Sequence, residues 1–449
     1  MPHGSTGTRF LLLAILLAAA KLAAQAPAAA AGVDEYVKAT LDEWTAYYRH
    51  LHANPELSFH EAETAKTVAA KLEAYGYEVA RSVGGHGLVG VLKNGEGPVV
   101  MVRTDLDALP IVENTGLDFA SKKKSKAEDG KEVGVMHACG HDVHMTVFTA
   151  TARRFAETKS AWKGTLVFVG QPAEERGSGA LKMIADGLFE RFPRPARAIA
   201  LHCSSSLPAG IVATCEGFAL ASVDSVDIQV RGVGGHGAYP HTTKDPIVLA
   251  AQIVLALQTL RSRETSPLEP SVLTVGSIHG GAKHNIISDE VKMEVTVRAY
   301  NDVVRKQILD GIRRIVDGCA RAAGLPEDRM PVVKVLEESI GSTYNDPDLT
   351  KATHAALTKA LGAERVRKAD PVMGGEDFGC YGKVEPRIPI CMFWLGVVDP
   401  EVHAIAEKEK KGLPSLHSAE FKPLARPTIE TGIKAMCAAV TAALEASPR

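Results

Sequence analysis

Nine residues of this chain concentrate side chains that bind metals. Met136-His137-Ala138-Cys139-Gly140-His141-Asp142-Val143-His144 carries three histidines, a cysteine and an aspartate. Gln171-Pro172-Ala173-Glu174-Glu175 follows, then Leu201-His202-Cys203. Thiolate, imidazole and carboxylate together form the ligand set of a borderline-soft divalent cation such as zinc. The adjacent acids add chemistry, because one can bind a cation while the other stays free as a general base for water. That pairing points to a hydrolase. Gly140 leaves the turn between Cys139 and His141 free to wrap an ion. His137, His141 and His144 also fall near helical spacing, so one or two of them can be supporting or merely helical residues. His202 on its own reads as a packed core histidine.

The elements that must position these residues alternate. The spacing predicts a helix over 34–50, with Tyr36, Val37, Leu41, Trp44 and Tyr48 near one stripe, and a second over His60 to Tyr75, ended by Gly76. Strand-like runs cover Leu88 to Leu92, Val99 to Arg103, Thr165 to Val169 and Ala198 to Leu201, with helices at Met145 to Glu157 and Gly179 to Asp186 between them. Such alternation implies an α/β domain with a mostly parallel sheet. The candidate ligands fall just past strand ends, where open α/β sheets bind their ligands. From about Glu216 the texture changes to β-α-β-β-α-β: strands at Ser225 to Arg231, Ser271 to His279, Val291 to Tyr300 and Val332 to Leu336, helices at Pro246 to Leu260 and Asp302 to Ala323. That order is ferredoxin-like. Helix and strand signals resume at Asp348 to Leu361, Ile388 to Leu395 and Pro427 to Glu445. The expected organisation is a catalytic domain of residues 34–215 and 341–449, with a lid of residues 216–340 inserted into it. The lysine-rich run 122–132 reads as a solvated loop.

The chain has 449 residues, 45% hydrophobic and 23% charged, with a net charge of −2. Two domains are expected at this length, and the charge offers no field for nucleic acid or an anionic membrane. Arg9 precedes the apolar run Phe10 to Ala20, and small residues follow it. This is the pattern of a signal peptide over residues 1–31, so the protein is expected to be exported, periplasmic or secreted, and free of the membrane after cleavage. The seven cysteines are scattered without a disulfide framework, so most are expected to be buried free thiols.

Further motifs line up in order: His52-Ala53-Asn54-Pro55-Glu56-Leu57-Ser58-Phe59 with Glu61; Arg103-Thr104-Asp105-Leu106-Asp107-Ala108-Leu109-Pro110; Gly234-Gly235-His236-Gly237; His284-Asn285; Met373-Gly374-Gly375-Glu376-Asp377-Phe378; and Leu416-His417-Ser418. With the motifs above, the chain resembles the aminoacylase-like dinuclear metallohydrolases over about residues 34–440. The resemblance is to the branch with hippurate hydrolases, N-acyl-amino-acid deacylases and auxin-conjugate hydrolases. It implies a zinc-aminopeptidase-type α/β domain, an inserted lid that dimerises, and two divalent ions per subunit (zinc, manganese, cobalt or nickel). It implies Cys139, His141, Glu175, His202 and His417 as metal ligands and Glu174 as general base. It implies His236 as the group that polarises the scissile carbonyl, often from the partner subunit, and Asn285 and Arg298 as holders of the substrate carboxylate. Asp105 is expected to orient a metal-bound histidine from behind, though it also reads as a plain strand-end acid. Arg298 alone reads equally as a surface arginine.

The chain departs from the pattern at Cys203-Ser204-Ser205-Ser206, in the longer loop 121–132, and at Ser288. The expected activity is cleavage of N-acyl-amino acids by a homodimer. Two other readings stay open. One is a carboxypeptidase or dipeptidase of the same fold. The other is a non-catalytic binding protein on a retired hydrolase scaffold, against which the free acid beside Glu175 speaks.

Overall fold

Continuous apolar runs make the central strands, and the charged side chains sit where those runs stop. Val99–Asp105 (β3) is buried along almost its whole length and ends in Arg103, Thr104 and Asp105. A strand buried on both faces belongs inside a sheet covered by helices. The computed structural model describes residues 32–127, 130–336 and 338–446, so the expected leader lies outside the described residues.

The larger sheet has eight strands. Glu78–Val83 (β1), Gly87–Asn94 (β2), β3, Gly164–Gln171 (β4), Arg197–Pro208 (β5), Val212–Thr214 (β6), Val366–Lys368 (β11) and Ile390–Val398 (β12) lie in the order β1-β2-β4-β3-β5-β12-β6-β11. The central strands β4, β3, β5 and β12 run parallel. One face packs against Val33–Ala53 (α1), Ala62–Ala74 (α2), His141–Glu157 (α3), Pro347–Leu361 (α7) and Ala425–Glu445 (α9), with Trp44, Phe148, Phe168 and Phe393 in the shared core. The other face packs against Gly179–Ala185 (α4) and the turn Asp377–Lys383 through Met183, Tyr381 and Met392.

The second sheet is antiparallel. Ser222–Arg231 (β7), Ser271–Gly280 (β8), Glu290–Ala299 (β9) and Val332–Val335 (β10) lie in the order β8-β9-β7-β10. Residues along β9 alternate between exposed and buried, the pattern of a sheet covered on one side. Pro246–Thr259 (α5) and Asp302–Ala322 (α6) cover that side with a core of their own, including Ile228, Ile253, Val297 and Ile312. The topology is the βαββαβ arrangement expected from the sequence.

Some local expectations change. The helix expected from Met145 begins at His141, so His141, Asp142 and His144 all lie in its first turn. The lysine-rich run is part of a hairpin in which Lys124–Lys126 pairs with Glu132–Gly134. Strand β5 runs on through His202 to Pro208, because Ser204 and Pro208 still pair with β12. All seven cysteines are free thiols, six of them buried.

One ionic clamp ties α1 to the start of α3. His52 Nδ1–H donates to Asp142 Oδ2 at 2.6 Å and Nε2–H to Glu113 Oε1 at 3.0 Å, with all three side chains fully buried. Burial disfavours the charged ring, but the hydrogen bonds to Asp142 and Glu113 outweigh it and lift its pKa to about 9 from 6.5. A raised folded-state pKa contributes stability that is complete below about 6.5 and is lost as pH rises through about 9. The wild-type melting temperature is therefore expected to fall over that window. His52→Gln should start lower and fall less, as read by circular dichroism. Parallel pH curves for the two proteins would remove the clamp from the account.

Candidate active site

Parallel strands deliver the chemistry to one edge of the sheet. Strand β3 ends at Asp105 and β4 at Gln171, just before Glu174 and Glu175, while β5 carries His202. Cys139 and His141 flank the left-handed Gly140 (φ 83°). A Cβ at Gly140 would also lie 2.8 Å from Cys203 Sγ, so glycine is required there twice over. His417 arrives from the loop before α9 with its own φ at 66°.

These side chains converge. Cys139, His141 and His202 form one group whose ligand atoms lie within 4.8 Å of one another, and Cys139, Glu175 and His417 form a second, so Cys139 is common to both. Cys139 Sγ lies 3.6 Å from His202 Nε2. His141 Nε2 lies 3.7 Å from Glu174 Oε2 and 3.8 Å from Glu175 Oε1, and His417 Nε2 lies 3.4 Å from Glu175 Oε2. The outer nitrogens are tied down: His141 Nδ1–H donates to the Asp107 carbonyl and His202 Nδ1–H to the Cys203 carbonyl, each at 2.8 Å. That orients each ring with its Nε2 facing the cluster. His141 Nε2 and Glu175 Oε1 are buried without any hydrogen-bond partner. Buried orphans of this kind, on a thiol–imidazole–carboxylate donor set, fit divalent cations.

The electrostatics agree. Burial, then Glu376, Glu175 and Asp105, drive the Glu174 carboxyl well above its ordinary range. Burial, partly opposed by His141, pushes Glu175 up to about 8. Burial disfavours the His141 imidazolium, yet Asp105 and Asp107 hold its pKa near about 10. Ionising all of its carboxyls would give the cluster more negative charge than its own residues neutralise.

Behind it lies a network whose motifs stand out in the sequence but whose roles do not. Arg103 is fully buried and pairs with Asp105, with Glu376 at 2.9 Å and with Asp377 at 2.9 Å. An arginine within an apolar strand run is the signal that could have found it. Asp105 does not hydrogen-bond His141. Its Oδ2 accepts from His144 Nδ1–H at 2.8 Å, and His144 Nε2 accepts the Cys203 N–H at 2.9 Å. Both His144 nitrogens are thus occupied, and burial pulls its pKa down to about 3. His144 braces β3 against β5. His137 is buried with neither ring nitrogen partnered, and the structure gives no account of it.

A cavity of about 520 Å³ opens onto the cluster, lined by Cys139, Glu174, Glu175, His202 and His417 together with Arg298 from β9. Its apolar wall includes Leu220, Val223, Ile340, Val372 and Trp394. His236 and Asn285 do not line it. Both are exposed, at the ribbon where Gly235–His236 pairs with Ile286–Ile287.

Fold and site together define a lidded α/β metallohydrolase, with a candidate metal centre at the strand ends of its covered sheet. The chain belongs to Peptidase family M20/M25/M40, whose profile matches residues 101–417, and it is a metal-dependent hydrolase. Thermostable carboxypeptidase 1 of Saccharolobus solfataricus is 35% identical over 387 residues, covering 85% of this chain and 91% of its own. IAA-amino acid hydrolase ILR1-like 2 of Arabidopsis thaliana is 35% identical over 376 residues, covering 83% and 79%. The crystal structure of a dinuclear metal binding peptidase from Bacillus subtilis superposes with a TM-score of 0.71 at 30% identity, covering 91% of this chain and 99% of that one.

The bracing position of His144 has a measurable consequence. His144→Leu is expected to keep its full metal content by elemental analysis. It should lose about 2–6 kcal/mol of stability, because the Cys203 amide and an Asp105 oxygen each lose a buried partner worth about 1–3 kcal/mol. Metal loss in folded His144→Leu would make it a ligand instead.

Proposed function

We propose that this protein hydrolyses the amide bond of N-acyl-L-amino acids, hippurate-like conjugates, to a carboxylate and a free amino acid. The observation that carries the reading is the shared cavity: Glu174 and four candidate ligands line it together with Arg298 and an apolar wall. The wall suits an apolar acyl group. Arg298 can grip a carboxylate bidentately, as lysine could not. A carboxypeptidase reading uses the same centre and has the Saccharolobus relative behind it. A panel of N-acyl-amino acids and peptides separates the two, and hippurate inert beside a rapidly cleaved peptide would select the second.

Cys139, His141, Glu175, His202 and His417 would hold two divalent cations, with the Cys139 thiolate shared between the two ligand groups. Such a pair supplies Lewis-acid polarisation of the scissile carbonyl and of the attacking water. Glu174 takes the proton from that water and returns it to the leaving amine. Glu174→Gln is expected to retain its metal while turnover falls by at least about 10²-fold, the usual weight of a general base. Elemental analysis beside steady-state rates checks this, and near-normal turnover removes Glu174 from the mechanism.

The reading includes a homodimer formed through the lid. His236 and Asn285 are exposed and away from their own cavity, and α5 turns Ile247, Val248 and Leu255 to solvent. A partner's His236 would donate to the developing oxyanion and its Asn285 would help hold the substrate carboxylate. Subunits of His236→Ala and of Glu174→Gln, each inactive alone, are expected to regain activity when mixed under exchange. In the mixed dimer one site carries both defects and the other carries neither, so about half of wild-type activity per mixed dimer should return. No recovery despite verified exchange means His236 does not act across the dimer.

A further inference from the structure

Glu174 and Glu175 are neighbours, yet both carboxylates reach His141 Nε2, at 3.7 and 3.8 Å. In an extended strand successive side chains point to opposite faces. The turn that follows β4 removes that alternation, and its backbone is strained. Ala173, immediately before the two acids, holds φ at 49°, in the left-handed region that L-residues with a Cβ avoid. Phe59, distant in sequence, holds φ at 67°.

The two strained amides end on one atom. Ala173 N–H donates to Glu61 Oε1 at 2.8 Å and Phe59 N–H donates to the same oxygen at 2.9 Å. Glu61 is fully buried. It precedes α2 but makes no side-chain cap to that helix. Its Oε2 is buried without a hydrogen-bond partner. Burial and the neighbouring Asp107 raise its carboxyl to about 7. From the other side Asp107 Oδ2 accepts the Glu175 N–H at 3.0 Å and the Ser58 hydroxyl at 2.6 Å. A carboxyl held at such a desolvation cost, whose side chain does not cap α2 and, among the described residues, pairs with no basic side chain, is explained by the backbone it fixes.

We propose that Glu61 is a positioning residue whose Oε1 holds Ala173 left-handed, so that Glu174 and Glu175 are presented side by side. The proposal rests on the roles read for Glu174 and Glu175 above. Glu61 belongs neither to the cavity lining nor to either candidate ligand group, and it acts through the backbone of the turn.

The test compares Glu61→Ala, Glu61→Gln, and Glu61→Ala combined with Ala173→Gly, in the metal-loaded full chain with hippurate or the best substrate of the panel. Glu61→Ala is expected to lower kcat by at least about thirtyfold with KM within about threefold, the signature of an interaction made chiefly in the transition state. Glu61→Gln should stay within about fivefold of wild type, because its amide oxygen still accepts from both N–H groups. Adding Ala173→Gly should recover kcat at least about tenfold, since glycine takes the left-handed conformation without strain. A purely structural role predicts instead a lowered melting temperature in Glu61→Ala with kcat per folded, metal-loaded enzyme near wild type. The proposal is overturned by wild-type kcat in folded Glu61→Ala, by a Gln variant as damaged as the Ala variant, or by no recovery in the double variant. Should Glu61→Ala not fold, Glu61→Asp replaces it: a shorter carboxylate that cannot reach both amides should lose kcat alike, and wild-type kcat there overturns the proposal. Glu174→Gln, run alongside, separates the two levels. If it is inactive while Glu61→Ala is unimpaired, only the positioning role fails; if Glu174→Gln itself turns over normally, the underlying reading fails.

Discussion

Burial of surplus negative charge is the constraint on which the rest of this structure depends. Asp105, Asp107, Glu174, Glu376 and Asp377 are buried, and the Glu175 side chain is nearly so. Removing an ionised carboxylate from water carries an effective penalty of roughly several kcal/mol even after the protein relaxes. Arg103 answers part of it, sharing one guanidinium among Asp105, Glu376 and Asp377. The planar fork of arginine suits such sharing, and a lysine would not serve. Asp107, Glu174 and Glu175 are left over. Divalent cations are the natural complement of that surplus, so binding them would stabilise the fold as well as equip it for chemistry.

The same constraint explains why the site lies between two layers of the molecule. The strand ends provide the candidate ligands, but an open strand edge would expose the cluster to water. The lid closes it with residues from the opposite side: Val223, Arg298 and Ile340 line the cavity beside Glu174 and His417. The joint is tight. A Cβ at Gly375 would lie 2.2 Å from Val223 Cγ2, and Arg298 Nη1–H reaches the Met373 carbonyl at 3.4 Å. Gly375 of the Met373-Gly374-Gly375-Glu376-Asp377 segment lets lid and sheet approach, and the acids that follow turn inward to Arg103. One short segment thus joins the substrate wall to the buried charge network.

Much of this was legible in the sequence because coordination demands particular residue types. Cys139, His141, Glu175 and His202 could be singled out by chemistry and order, His417 only through the family resemblance, and they lie together. The inserted βαββαβ unit was legible from alternation, which a half-covered antiparallel sheet enforces. What escaped was short or collective. Strands β6 and β11 span three residues each, too few to show a period. The start of α3 was missed because ligand-rich residues carry no apolar stripe. His144 matched the ligand pattern by type. Only the hydrogen bonds at both of its nitrogens reveal a brace, and hydrogen bonds between distant strands leave no trace in local composition.

Strain escaped for a related reason. Phe59, Ser82, Ala173, Lys410 and His417 are the non-glycine residues with positive φ among the described residues. Three of them belong to the site or its supports: His417 lies in a candidate ligand group, Ala173 precedes the two acids, and Phe59 shares the Glu61 oxygen. Such conformations cost about 1–3 kcal/mol each and persist only where the surroundings over-determine them. Sequence marks a left-handed residue when it is glycine, as at Gly140. It hides one when a particular side chain is needed at that position or when an outside hydrogen bond does the holding. Gly140 must be glycine because its Cβ would meet Cys203. Position 417 cannot be glycine if its imidazole is to face Glu175. The site therefore uses both solutions within one cluster, and the strained one depends on the surrounding packing to hold it.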